Sequence, residues 1–155
     1  MKKLFYAAFA YMVLGVSSGL FYREITKANN FTSDQFTQLS VVHTHLLVLG
    51  FIVLLLVLLL EKSFALSESK LFSWFFWTYN VGLVLTAAML VVHGMQQVTG
   101  AETSKAISGI AGMGHILLSV GMILLFLSLR SRLSADRASS VVGVTRHDTD
   151  AALAR

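Results

Sequence analysis

Val42-His43-Thr44-His45-Leu46-Leu47-Val48-Leu49-Gly50 decides how this chain is read. It opens an apolar run that continues from Phe51 to Leu60, so two imidazoles sit inside a segment with the composition of a membrane-crossing helix. Ionisable side chains are costly in such a segment, and where they occur they default to a functional role with a partner elsewhere in the bundle. Neutral histidine is also the commonest metal ligand. The partners come later: His93 and His115 each lie inside another apolar run, which makes four of the five histidines intramembrane candidates. The fifth, His147, falls in a polar stretch and reads as solvated.

Outward from that stretch the composition agrees. Of 155 residues, 55% are hydrophobic and only 13% charged, with a mean hydropathy of +0.72, whereas a soluble domain carries roughly 25% charge. Four apolar runs, at about 4–22, 39–60, 71–95 and 106–129, are each long enough to cross the roughly 30 Å of hydrocarbon at 1.5 Å per residue. The expected fold is all-α: an integral membrane four-helix bundle in residues 1–130, followed by a polar tail, 131–155, of mixed charge and no apolar period, expected to be disordered. Met1-Lys2-Lys3 resembles the start of a secretory signal, but the apolar run behind it exceeds the usual 7–15 residues and reads as the first span. Gly15 and Gly19 within it form a small-xxx-small pair suited to close helix contact. Trp74, Phe75, Phe76 and Trp77 at the start of the third run suit a membrane interface.

The chain has no cysteine, which excludes disulfides, thiolate metal sites and iron–sulfur clusters, and no proline, which excludes proline kinks. The net charge of +4 is no nucleic-acid signal, because the basic residues flank the apolar runs. Lys2, Lys3, Lys62, Lys70, Arg130, Arg132 and Arg137 fall on one side of the membrane, and Arg23, Lys27 and Lys105 on the other. That asymmetry puts both termini in the cytoplasm. The second and fourth spans then enter from the outer side, with His43 and His45 roughly 6–9 Å deep and His115 roughly 13 Å deep. His93 lies near the outer end of the third span, so all four histidines share the outer half of the bilayer.

Helix geometry limits their chemistry. His43 and His45 are two residues apart and so point about 200° from each other, which rules out joint ligation of one small ion by an intact helix. One imidazole is expected to face the bundle and the other a neighbouring subunit, a second cofactor or lipid. Gly50 lies two turns along the His43 face, and Gly112 lies near His115 in Ser108-Gly109-Ile110-Ala111-Gly112-Met113-Gly114-His115. Missing side chains beside a histidine make room for a wide, flat object, and a porphyrin with axial histidine fits that description. The bland reading is that the glycines mark helix contacts and the histidines bond to neighbouring carbonyls or hydroxyls.

Tyr22-Arg23-Glu24, the His43–Gly50 stretch, Tyr79-Asn80-Val81-Gly82-Leu83 and Ser108–His115 together resemble a family of small bacterial four-span membrane proteins of undefined role. That resemblance implies a multi-pass protein of the bacterial inner (cytoplasmic) membrane. More distantly, the His-x-His pair is similar to the haem-ligating pair on one helix of the catalytic subunit of haem–copper oxidases, where the two histidines serve different haems on opposite faces. That subunit has twelve helices in three arcs of four, so the resemblance implies that a four-helix chain would work as a homo-oligomer, a trimer or else a dimer. There is no adjacent His-His pair and no His-x-x-x-Tyr, the motifs of that family's copper site.

The functional expectation is a membrane protein holding b-type haem, for electron transfer with a redox partner or for binding a small gas. His43, His45 and His115 are the candidate iron ligands, Gly50 and Gly112 make room for the ring, and His93 is a further metal-ligand candidate. His43 and His115 are the first choice of axial pair within a bundle, with His45 then facing a subunit interface, where it would ligate a haem shared with a neighbouring chain. Copper or zinc handling by the same imidazoles is the first alternative, although none of the eight acidic residues lies inside a span. A structural or assembly role within a larger membrane complex is the second.

Overall fold

The computed structural model describes the backbone of residues 1–32, 35–102 and 105–153, and the side chains of 1–32, 35–102, 107 and 109–135. Helix α1 (Lys2–Ala28) comes first. The next span is composite: α2 (Leu39–His45) passes into a π-helical segment (Leu46–Ile52) and then α3 (Val53–Phe64) without a break in direction. A short 3₁₀ turn (Leu66–Glu68) leads to α4 (Lys70–Thr99), and α5 (Lys105–Leu153) completes the chain. Four of these helical stretches are long and apolar enough to cross a membrane: Lys2–Ala28, Leu39–Phe64, Lys70–Thr99 and Gly109–Ala135.

The first three expected spans lie within these stretches and the fourth, 106–129, within α5; all but the second, which starts at Leu39 as expected, are overrun by helix at both ends. The 27 residues of α1 extend roughly 40 Å, which is hydrocarbon plus headgroup region. Where the helices stop, the backbone has a local reason. Gly100 closes α4 at φ +70°, a conformation glycine adopts without strain, and its N–H reaches Gln96 O. Ala65 closes α3 in the same left-handed region. Ser69 restarts the chain, its hydroxyl accepting from Leu71 N at the head of α4. The backbone of α5 continues as helix past the apolar segment to Leu153, through the polar tail for which the sequence suggests no order.

The helices lie in the order α1, second span, α4, α5. The longest contact is between α4 and α5, α1 packs along the second span, and the second span packs on α4. Small residues permit these approaches. A Cβ on Gly82 would stand 2.7 Å from Leu118 N and 3.0 Å from Gly114 O. A Cβ on Gly114 would overlap the Thr86 hydroxyl. Gly15 of α1 receives Leu47, and Gly19 receives His43, so the small-xxx-small pair is spent on the second span. Phe75, Tyr79 and Leu83 of α4, Leu54 and Val57 of α3 and Leu4 of α1 fill the core.

Outside that core the surface is apolar. Phe5, Phe9, Leu14, Trp74, Ile116 and Phe126 are all exposed, an arrangement that water penalises and lipid does not. One end of the bundle is tied by polar groups. Arg132 Nε donates to Phe64 O at 3.0 Å and its guanidinium pairs with Glu68 at 2.6 Å. The buried Glu61 carboxylate accepts from Ser67 N and Ser67 Oγ. The α3–α4 connection is thereby fixed to α5.

Candidate functional site

Two of the clefts between the helices border the middle of the second span. One lies between α1 and α4 over Val42 and Leu46, with a volume of about 390 Å³. The other, of about 490 Å³, lies between the second span and α5. Leu49 and Val53 form one wall, Leu118, Met122 and Ile123 the other, and Tyr79 of α4 lies between them. His115 borders this second cleft, and His45 of the second span, which is not itself a lining residue, faces His115 with ring centroids 6.4 Å apart and ring planes at 84°.

Each of these two imidazoles is anchored by its own helix. His45 Nδ1 lies 2.9 Å from Val41 O, and His115 Nδ1 lies 3.0 Å from Ala111 O, in each case the carbonyl one turn before. A carbonyl only accepts, so Nδ1 carries the proton and donates it. Nε2 is then left with a free lone pair in both rings, the tautomer in which a neutral imidazole ligates a metal. His45 is half-buried and His115 exposed on the cleft side. Gly109 and Gly112, one to two turns from His115, border open space on which an added Cβ would meet nothing.

The other sequence candidates lie elsewhere. His43 is turned against Gly19 of α1; its Nδ1 is buried without a partner, and its Nε2 is 3.4 Å from Thr44 Oγ1. The expected His43–His115 pairing is thus replaced by His45–His115, because the second span presents the His45 face, not the His43 face, to α5. Gly50 does not leave room for a flat ligand: the Tyr11 ring occupies the place its side chain would take. His93 lies seven residues beyond Thr86 on α4, towards the end where Gly94 meets Leu39, whereas His115 lies next to Gly114, which packs on Thr86 itself. The offset is roughly 10 Å along the axis, so His93 does not join the pair. Among the described residues no group of three or more His, Asp or Glu side chains stands ready to hold an ion. Ser108 and His147 fall outside the described side chains.

Tyr79, which in the sequence stands out only as part of the Tyr79–Leu83 motif, has a partner on the second span. Its hydroxyl donates to Leu49 O at 3.0 Å, inside the π-helical segment. The neighbouring Asn80 accepts from Tyr11 OH at 2.9 Å and donates to Phe76 O. A tyrosine in mid-span was the only signal for this, since a buried hydroxyl needs a partner, but its target carbonyl belongs to a backbone irregularity that hydropathy does not reveal.

The model of a family described as protein of unknown function (DUF2871) matches residues 1–132, which takes in all four spans and both facing histidines. The chain belongs to that family. Comparison with curated proteins and with solved structures returns no match, and nothing in these comparisons links the chain to haem–copper oxidases.

Proposed function

We propose that this is a multi-pass protein of the bacterial inner membrane that binds b-type haem between its second and fourth spans, with His45 and His115 as the iron ligands. The observation that carries this reading is the facing pair of imidazoles, each with Nδ1 tied to its own helix and Nε2 free. If a haem were bound, His45 and His115, with ring centroids 6.4 Å apart, would be the residues to hold its iron. The hydrogen bonds to Val41 O and Ala111 O hold the two ring planes at 84° to each other. The same separation suits an edge-to-face ring contact with nothing between, and experiment distinguishes the two.

The donor set and the surroundings fit a porphyrin. The cleft is apolar along Leu49, Val53, Leu118 and Met122, its volume is within the range of small-molecule sites, and Gly109 and Gly112 keep the approach to His115 clear. Haem iron would supply one-electron redox chemistry there. The chain's own residues do the rest: Val41 O and Ala111 O fix ring rotation and tautomer, and the apolar walls exclude water. The termini lie in the cytoplasm on this reading, and the cleft opens towards lipid, where a second copy of the chain in a dimer or trimer would cover it.

Copper or zinc handling is the second reading, favoured by a donor set made only of imidazoles. A tetrahedral zinc site would need ligands beyond this pair. Absorption spectra of the detergent-purified full chain, oxidised and dithionite-reduced, with iron, copper and zinc measured on the same sample, decide the matter. A Soret band that shifts on reduction, with near-stoichiometric iron, is expected. Bound copper or zinc without porphyrin selects the second reading. Neither, after expression with ample haem, leaves the histidines as a packing contact and points to an assembly role.

A further inference from the structure

The π-helical segment Leu46–Ile52 begins at the residue after His45. A π turn closes from i to i+5 where an α turn closes from i to i+4, so the segment holds one more residue than regular helix would over the same ground. Contacts hold the second span to its neighbours on both sides of it. Before it, Thr37 Oγ1 donates to Gly94 O at 2.9 Å, Gln38 N donates to Gln97 Oε1 at 2.7 Å, and Leu39 packs into the space left by Gly94. Within and after it, Tyr79 OH holds Leu49 O, the Tyr11 ring covers Gly50, and Leu54 and Val57 are fully buried. Were the segment to relax to α-helix with its sequence unchanged, everything before it would turn by about 100° relative to everything after it, and His45 would leave His115.

We infer that Tyr79 is a positioning residue for the His45–His115 pair: by holding the Leu49 carbonyl it keeps the extra residue within Leu46–Ile52, and so keeps the His45 face turned to α5. This rests on His45 and His115 being the working pair, but not on the identity of what they hold. Tyr79 acts through the backbone of the second span, at Leu49 O. The hydroxyl is well suited to this. In the hydrocarbon interior no water competes for the Leu49 carbonyl, and a π-helical turn inside an α-helix is a feature that persists where its surroundings specify it.

The chain's lack of cysteine permits a test that needs no bound group. His45→Cys and His115→Cys are introduced together in the full chain, and a short bifunctional methanethiosulfonate reagent is applied in native membranes. The pair should cross-link. Adding Tyr79→Phe should lower the yield by roughly threefold to tenfold, the shift expected from one lost buried hydrogen bond. Deleting Val48, an exposed residue of the segment, in the Tyr79→Phe background should restore it, because a regular helix one residue shorter carries position 45 to the same place. Unchanged cross-linking in Tyr79→Phe overturns the inference. So does a loss that the Val48 deletion fails to rescue, since that would mark Tyr79 as packing alone. With both histidines present, Tyr79→Phe should also convert a six-coordinate low-spin haem spectrum towards a five-coordinate high-spin one. A parent chain that binds no haem would remove the haem reading and leave the cross-linking result standing.

Discussion

A histidine that gives its Nδ1 proton to its own helix has one nitrogen left to offer, and the direction of that nitrogen is set by the backbone. His45 and His115 are both in this state, through Val41 O and Ala111 O, whereas His43 has a buried Nδ1 with no partner. The four intramembrane histidines are therefore chemically unlike, although hydropathy treats them alike. The distinction makes a sharp mutational prediction. Under the proposed haem function, His45→Ala and His115→Ala should each abolish or convert the haem absorption spectrum of the purified protein. His43→Ala and His93→Ala should leave band positions and iron content unchanged. A spectrum lost with His43→Ala and retained with His45→Ala would reverse the assignment. The sequence could show that two imidazoles at i and i+2 serve different sides; it could not show which side faces α5, because a helix apolar all round has no polar face to mark its rotation.

At the scale of elements, the long α4–α5 contact provides one wall of the cleft, and small residues make that contact possible. Gly82, Gly114 and Gly121 each stand where a Cβ would meet the facing helix. Without a hydrophobic driving force between helices in lipid, close packing of this kind carries association. Gly114→Val should therefore cost about 1–3 kcal/mol, the usual range for overpacking, and should lower the midpoint of thermal unfolding in detergent. Gly112→Val, whose Cβ would enter open space, should leave the midpoint near that of the parent while obstructing the approach to His115. Equal loss of stability in both variants would remove the distinction between a packing glycine and a clearance glycine. The existence of the four helices was legible because long apolar runs bounded by charge have few alternatives, whereas their ends were not, since helix runs on past the apolar residues as far as Leu153 in α5. The composite second span was not: Leu46–Ile52 contains nothing but apolar residues and Gly50, and its π turns follow from where Tyr79, Tyr11 and Gly94 hold it. The glycine that sequence reading assigned to a ligand, Gly50, turned out to receive a tyrosine, since a missing side chain marks close approach without naming what approaches.

For the whole molecule, the way the bundle lies decides, under the proposed haem function, from which side electrons or a diatomic gas would reach the pair. The described polar ties place Glu61, Ser67, Glu68 and Arg132 together at one end, and Thr37, Gln38, Gly94 and Gln97 together at the other. His45 lies six residues beyond Leu39, hence roughly 9 Å from the second of these ends, well away from the first. Basic residues concentrate near the first end, which the positive-inside rule assigns to the cytoplasm. Single cysteines substituted for Phe36 and Ser67 in this cysteine-free chain test the assignment. Phe36 is exposed in the connection beside the histidine-bearing end, and Ser67 lies in the turn at the opposite end. In intact cells a membrane-impermeant maleimide should label position 36 and should reach position 67 only after permeabilisation. The reverse pattern would invert the bundle and put the pair in the cytoplasmic half. With the expected pattern, the cleft lies in the outer half of the bilayer, so under the proposed haem function a partner delivering electrons would dock on the outer face and a gas would enter from the hydrocarbon between the second span and α5.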